Sequence, residues 1–373
     1  MSRVATKHQL VFEAVRKEIR DGRFNPGDRI PSDVELVEKF KVSRPTVAKA
    51  LQELERNGLV IRRPGSGTYV KKTDKDGYLF GLLIPGLGDT EIFEPICGEI
   101  ARSAQQLNHS LLWGGAGTHT LFDSDEVGSI SLDICRQFIQ NKVSGIFFAP
   151  LVVAEHHNTI NQQITQTLTD AGIPVVLLDR DIVPFPNRSG FDLVGINNHR
   201  AGFLVTQHLI EQGCDSILFV TDQYRVGTVE ARIAGFNQAL LLAERPVTPS
   251  LIQRCNPRDA TFVANMMAAH KPCGIVCGND VVAANLIHTL DNLDIEVPNH
   301  VLVAGIDDVK YAELLRVPLT TIHQPCEAIG RAAIRAMLDR LEMPDMPARD
   351  VLVACHLVER ASTERLDRLN GKA

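Results

Sequence analysis

The segment 1–70 carries a run of local signals that few folds can satisfy together. A helical stripe of Leu10, Val11, Ala14, Val15 and Ile19 runs over about 7–22. It is followed by Gly22-Arg23-Phe24-Asn25-Pro26-Gly27-Asp28-Arg29-Ile30-Pro31-Ser32, which leads into a short helix at 33–40 with Val34, Leu36, Val37 and Phe40 facing inward. Ser43 is placed as the N-cap of a third helix with Pro45 in its first turn, and Val47, Ala50, Leu51 and Leu54 face its core side. Gly58 closes that helix, and a hairpin over 59–71 turns at Pro64-Gly65-Ser66-Gly67. The order is helix, short helix, turn, helix, glycine-tipped hairpin: a winged helix-turn-helix.

Charge separates this module from the rest of the chain. Residues 1–72 hold 16 Lys and Arg against 9 Asp and Glu, a net +7, and the remainder carries −13 within a whole-chain net charge of −6. A basic module on an acidic body directs only the module toward a polyanion. A helix in the major groove needs short residues for close approach and a long side chain for base edges. Ser43, Arg44, Pro45 and Thr46 supply these, with Lys49 one turn on. In the hairpin, Gly65, Ser66 and Gly67 permit close approach to the minor groove, flanked by Arg62 and Arg63.

Lys71-Lys72-Thr73-Asp74-Lys75-Asp76-Gly77 is polar and aperiodic, so the expected boundaries are a head at 1–71, a linker at 72–77 and a body at 78–365. In the body, short apolar runs alternate with helical patterns. Strands are expected at Leu79–Ile84, Ser110–Trp113, Gly145–Ala149, Val175–Asp179, Leu193–Ile196, Ile217–Val220, Gly274–Cys277 and Val301–Ile306. Such alternation implies parallel sheets with helices on both faces, and this length favours two of them. The fold class is α/β, a winged helix joined to a two-lobed, doubly wound body.

Ligands of such bodies bind where the carboxyl ends of strands from both lobes face each other. The polar residues after strands are Asp179 and Arg180, Asn279 and Asp280, Asp307 and Asp308, and Gln324, with Arg232 on a helix and Phe93 in an early loop. Carboxylate, guanidinium and amide groups together suit a polyhydroxyl ligand, and Phe93 offers a face for a sugar ring. Asp280 and Asp308 read rather as helix N-caps, and Trp113 as core. Cys273 and Cys277 bracket three residues without a matching His or Cys pair, so they read as buried thiols and no metal site is expected.

Residues 8–70 resemble the GntR-type winged helix in order and spacing, which implies operator binding as a homodimer. Members often carry basic residues where Val34 and Ala48 stand here. The body, across about 78–363, resembles the effector domain of LacI-type repressors and the related periplasmic sugar-binding proteins. Gly172-Ile173-Pro174-Val175-Val176-Leu177-Leu178-Asp179-Arg180, Glu230-Ala231-Arg232-Ile233-Ala234-Gly235-Phe236, Gly278-Asn279-Asp280 and Val303-Ala304-Gly305-Ile306-Asp307-Asp308 carry that likeness. It implies effector contacts at Phe93, Asp179, Arg180, Arg232, Asn279, Asp307 and Gln324. A departure is Ile196-Asn197-Asn198-His199, where an aspartate is common. A GntR-type head on a LacI-type body is the arrangement of the arabinose-repressor subgroup. The resemblance implies a repressor released by a monosaccharide, L-arabinose first among them, with no cofactor; the alternative is a purine or other non-sugar effector.

No apolar run spans a bilayer, and the N-terminus lacks a signal-peptide core, so the expected location is the cytoplasm. A sugar-processing enzyme would need a phosphate loop or an activated nucleophile. No Gly-x-Gly-x-x-Gly follows the first strand, and no P-loop or Gly-x-Ser-x-Gly occurs.

Overall fold

The computed structural model describes residues 7–20, 23–24, 27–63, 66–70, 77–84, 91–114, 124–152, 157–224 and 226–364. The chain divides into two units, Met1–Tyr78 and Leu79–Ala373. The expected linker lies almost wholly outside the described residues.

In the first unit, α1 (Lys7–Arg20), α2 (Asp33–Phe40) and α3 (Arg44–Arg56) precede the hairpin β1 (Val60–Arg63) and β2 (Gly67–Val70). Ser32 and Glu35 form a reciprocal capping box at the start of α2, which fixes its first turn. Val11, Phe12, Val15, Ile30, Leu36, Val47, Ala50, Leu51, Leu54, Val60 and Val70 make one core. Two inward assignments fail: Leu10 is 57% exposed and Val34 is 56% exposed. A three-helix head this small has only a narrow buried face, and both residues sit at the edge of their stripes.

The second unit begins with β3 (Leu79–Leu83), α4 (Phe93–Gln106), β4 (Ser110–Gly114), α5 (Ser124–Gln140), β5 (Gly145–Phe148), α6 (His157–Asp170), β6 (Val175–Leu178) and β7 (Asp192–Ile196). It continues with α7 (Asn198–Glu211), β8 (Ile217–Thr221), α8 (Gly227–Leu242), β9 (Ile252–Arg254), α9 (Ala260–His270), β10 (Gly274–Cys277), α10 (Asp280–Asn292) and β11 (Leu302–Asp307). Last come β12 (Thr320–His323), α11 (Cys326–Glu342), β13 (Asp350–Val353) and β14 (His356–Val358).

Two six-stranded sheets result, in the orders β13-β7-β6-β5-β3-β4 and β14-β12-β11-β10-β8-β9. All pairings within them are parallel except β12 with β14. Each sheet has its own apolar core, so each defines a lobe. The chain passes between lobes at 196–198, 323–326 and 353–356: β7 is in the first sheet while α7 packs on α8, β12 is in the second while α11 packs on α4, and β13 and β14 lie in different sheets. Trp113, expected in the core, is 49% exposed because β4 is an edge strand.

Backbone contact between α7 and α8 sets the second lobe. A Cβ on Gly202 would overlap the Arg232 carbonyl, and one on Gly235 would overlap that of His199. The two helices therefore cross at glycine-to-backbone distance. Gly235→Ala is expected to destabilise the protein by about 1–3 kcal/mol through overpacking, read from the urea unfolding midpoint.

Candidate DNA interface and effector cleft

In the head, Ser43, Arg44, Pro45 and Lys49 are exposed and Thr46 is half-buried, so the start of α3 presents them together. Ser43 sits at the N-cap position, but its side chain makes no capping bond; its hydroxyl pairs with that of Thr46 at 2.8 Å. Both hydroxyls thus remain at the surface beside Arg44. In the hairpin, Arg62 is tied to Asp33 of α2 at 3.2 Å, and the Ser66 hydroxyl pairs with Tyr69 at 2.7 Å. Gly67 has φ +125° and pairs with Arg63 across the hairpin. Gly65 and the Arg63 side chain lie outside the described residues. A basic residue missed in the sequence is Arg29. It bridges to Tyr69, is exposed, and its guanidinium lies where a Cβ on Gly67 would be. It reads as loop in the sequence, and only the fold brings it onto the hairpin.

In the body, the carboxyl ends of β6 and β11 each deliver an aspartate. Asp179 follows β6 with φ +70°, and Arg180 closes on it at 2.9 Å, both side chains nearly buried. The Arg180 guanidinium lies 5.6 Å from the centroid of the Phe93 ring. Phe93 is only 3% exposed, so it supports Arg180 rather than offering an open stacking face. The second Asp179 oxygen, Oδ1, is buried and has no hydrogen-bond partner among the described residues. A buried acceptor in that state calls for a donor.

On the second lobe, Asp307 Oδ1 accepts from Arg232 at 3.1 Å and from the Gln324 amide at 2.7 Å. Arg232 also donates to Asn198 at 2.8 Å and to the Gly278 carbonyl at 2.7 Å. All of these side chains are buried. Burial raises the Asp307 carboxyl, Arg232 and Gln324 oppose that, and Asp179 raises it again. The two aspartates are therefore electrostatic neighbours across the lobes. Asn279 is the true N-cap of α10, accepting from the Val282 amide, and so Asp280 is not. Asp308 is no cap either; it pairs with Arg360 and His323, each at 2.7 Å.

The six effector candidates besides Asn279 form two linked groups, Phe93-Arg180-Asp179 and Arg232-Asp307-Gln324, and Asn279 adjoins the Gly278 carbonyl held by Arg232. Asn198 was missed as a member, although the sequence drew attention to Asn197-Asn198. Asn197 caps α7 by accepting from the Arg200 amide, which an asparagine does as well as an aspartate. Tyr311 was missed too. Burial and the charges of Glu91, Asp280 and Asp307 push its hydroxyl up, placing it by the same acidic cluster. Two surface grooves lie elsewhere, one of about 490 Å³ between α10 and the 315–317 loop. Neither groove holds the converging charged groups, which makes the interlobe cleft the better site. Among the described residues no cluster suits a metal, and Cys277 is buried while Cys273 donates to the Ser216 carbonyl.

Because Arg232 is spent on internal partners, its removal strands Asp307. Arg232→Ala is expected to cost about 3–5 kcal/mol of stability, and adding Asp307→Asn to recover much of it, in urea titrations.

Comparison with known proteins shows the same division. Residues 7–70 match the bacterial regulatory proteins, gntR family, and residues 206–363 match the periplasmic binding protein-like domain. The arabinose metabolism transcriptional repressor of Halalkalibacterium halodurans is 26% identical over 352 residues, 90% of each chain. The transcriptional repressor PurR of Vibrio parahaemolyticus is 29% identical over 240 residues, 63% of this chain and 69% of its own. The structure of a LacI family regulator from Enterococcus faecium with bound ribose aligns with a TM-score of 0.62 at 20% identity, covering 77% of this chain and 99% of that one.

Proposed function

We propose that this chain, with a gntR-family head and a LacI-type, periplasmic binding protein-like body, is a sugar-responsive transcriptional repressor rather than an enzyme. The head at 1–71 reads operator DNA, and the body at 78–365 binds the effector and pairs two copies, so that two heads meet two half-sites. Its place is the cytoplasm, with the DNA it reads. No helix among the described residues is long and apolar enough to cross a membrane.

The observation that carries the effector reading is the unpartnered, buried Oδ1 of Asp179 beside the Arg180 guanidinium. A vicinal diol satisfies both, donating to the carboxylate and accepting from the guanidinium. A phosphate would meet Asp179 and Asp307 across the same space, with like charges opposed. The whole-length relative with an arabinose name makes L-arabinose the first sugar to test. A purine is the second reading, favoured by the PurR relative, whose similarity covers 63% of this chain. Sugar releases DNA by binding one lobe arrangement more tightly than the other.

Thermal unfolding against pentoses, hexoses, purines and sugar phosphates tests the effector. L-arabinose is expected to raise the midpoint, with about 2.7 kcal/mol of stabilisation at a hundredfold excess over its dissociation constant. Asp179→Asn should lose that shift while unfolding cooperatively. A shift with hypoxanthine alone would replace the sugar reading. For the head, Arg44→Ala is expected to weaken binding to a selected duplex by about 1–3 kcal/mol, or about five- to 150-fold, in anisotropy titrations. Equal affinity of this variant would remove Arg44 from the interface.

A further inference from the structure

Beneath the cleft floor lies a buried carboxylate with no assigned role. Asp280 opens α10 with its side chain fully buried, accepting from the Thr321 hydroxyl at 2.6 Å and from the Val309 amide at 3.1 Å. Its Oδ1 occupies the place that a Cβ on residue 305 would take, so it packs directly against the Gly305 backbone of β11. Its amide partner, Val309, is the next residue after the corner Asp307-Asp308. Both corner residues have left-handed backbone, with φ of +136° and +55°. Such angles carry a conformational cost for a residue with a side chain, and fixed surroundings offset it. Arg232 and Gln324 hold the first aspartate, Arg360 and His323 hold the second, and Asp280 holds the exit.

The charges around Asp280 do not balance. Asp307 and Asp308 face it from the end of β11, Tyr311 from the following loop, and Cys277 from the end of β10; Thr321 of β12 gives a neutral hydroxyl. The guanidiniums that enter this cluster, Arg232 and Arg360, are engaged by Asp307 and Asp308. Among the described residues, Asp280 is left as a buried carboxylate without its own counter-ion.

We propose that Asp280 is the positioning residue of the effector site, holding the Asp307-Asp308 corner, and that effector binding is linked to uptake of a proton by this carboxylate cluster. The proposal rests on the sugar-effector reading. Closing the lobes over a neutral sugar expels the cleft water that screens Asp307 from the already buried Asp280, so their like-charge repulsion grows and favours the neutral acid at the site lacking a cation. Burial first, then Asp307, already pushes the Asp280 carboxyl up to about 7. A group whose proton affinity rises on binding takes up a proton, so effector affinity is highest at low pH and falls as pH rises through neutrality.

The test is calorimetric titration of the full chain with L-arabinose from about pH 6 to about pH 8, in two buffers of different ionisation enthalpy. Affinity is expected to fall about threefold or more over that range, with the linkage limit at about tenfold per pH unit, and with proton uptake near neutrality. Asp280→Asn should flatten the profile. Thr321→Val removes a donor that favours the ionised carboxylate, so it should move the fall to higher pH. This second variant settles the matter if Asp280→Asn does not fold. Affinity independent of pH in the wild type, or an unchanged profile in either variant, overturns the proposal.

A ligand-free measurement separates this proposal from the sugar assignment. The infrared stretch of a protonated carboxyl should be present at about pH 6, fade toward about pH 8, and be missing in Asp280→Asn. If no sugar binds but the band behaves so, the sugar assignment fails and the buried proton stands. If the band is absent from the wild type, the proposal fails whatever binds.

Discussion

The Arg232–Asp307 ion pair is the interaction on which the rest of the body turns. Its two members come from α8 and β11, and its other hydrogen bonds go to the Gly278 carbonyl and to Asn198 and Gln324, the last two of which stand in two of the three passages between the lobes. A buried ion pair contributes little net stability, because desolvation offsets most of the attraction. What it supplies here is geometry. The guanidinium reaches Asn198, Gly278 and Asp307 at once, so any shift of α8 relative to the hinge must break a charge-assisted bond in a dry environment. The close crossing of α7 and α8 at Gly202 and Gly235 makes that shift sterically costly as well.

The same pair shapes how a ligand could be sensed. The first lobe offers Asp179 and Arg180, poised on Phe93, with one carboxylate oxygen unsatisfied. The second offers a saturated Asp307, already bonded to Arg232 and Gln324. The lobes are unequal partners, one short of a donor and the other rigid. A ligand that satisfies Asp179 while touching the fixed second lobe gains differential binding in the closed state, which is the only way a ligand moves such an equilibrium.

Much of this was legible in the sequence, for identifiable reasons. The head announced itself through punctuation: Ser32 at one helix start, Pro45 in the next, Gly58 after it. The central strands declared themselves as apolar runs buried on both faces, as in Gly145–Phe148 and Gly274–Cys277. The strands at 252–254, 320–323, 350–353 and 356–358 were not anticipated. Of these, β9, β13 and β14 lie at sheet edges and β12 lies one place in from an edge. They are short and mix polar with apolar residues, so their identity comes from the neighbour they pair with rather than from their own pattern. Candidate site residues stand out in the sequence where they come at the end of a strand core or directly after it, as with Asp179 and Asp307. Those acting from a hinge or a loop, Asn198 and Tyr311, carry no such local signal. The same holds for Arg29 in the head, and for Asp280, which looked like a cap because Asn279, one residue earlier, does the capping.

Coupling between occupancy of the cleft and the head's grip on DNA is read most directly by fluorescence anisotropy. A labelled duplex, selected for binding to the full chain, is titrated with the sugar that stabilises the protein. Release of the duplex is expected, with a midpoint matching the sugar's dissociation constant, while Asp179→Asn stays bound throughout. Sugar that saturates the protein while the duplex remains bound with unchanged affinity would contradict the coupling.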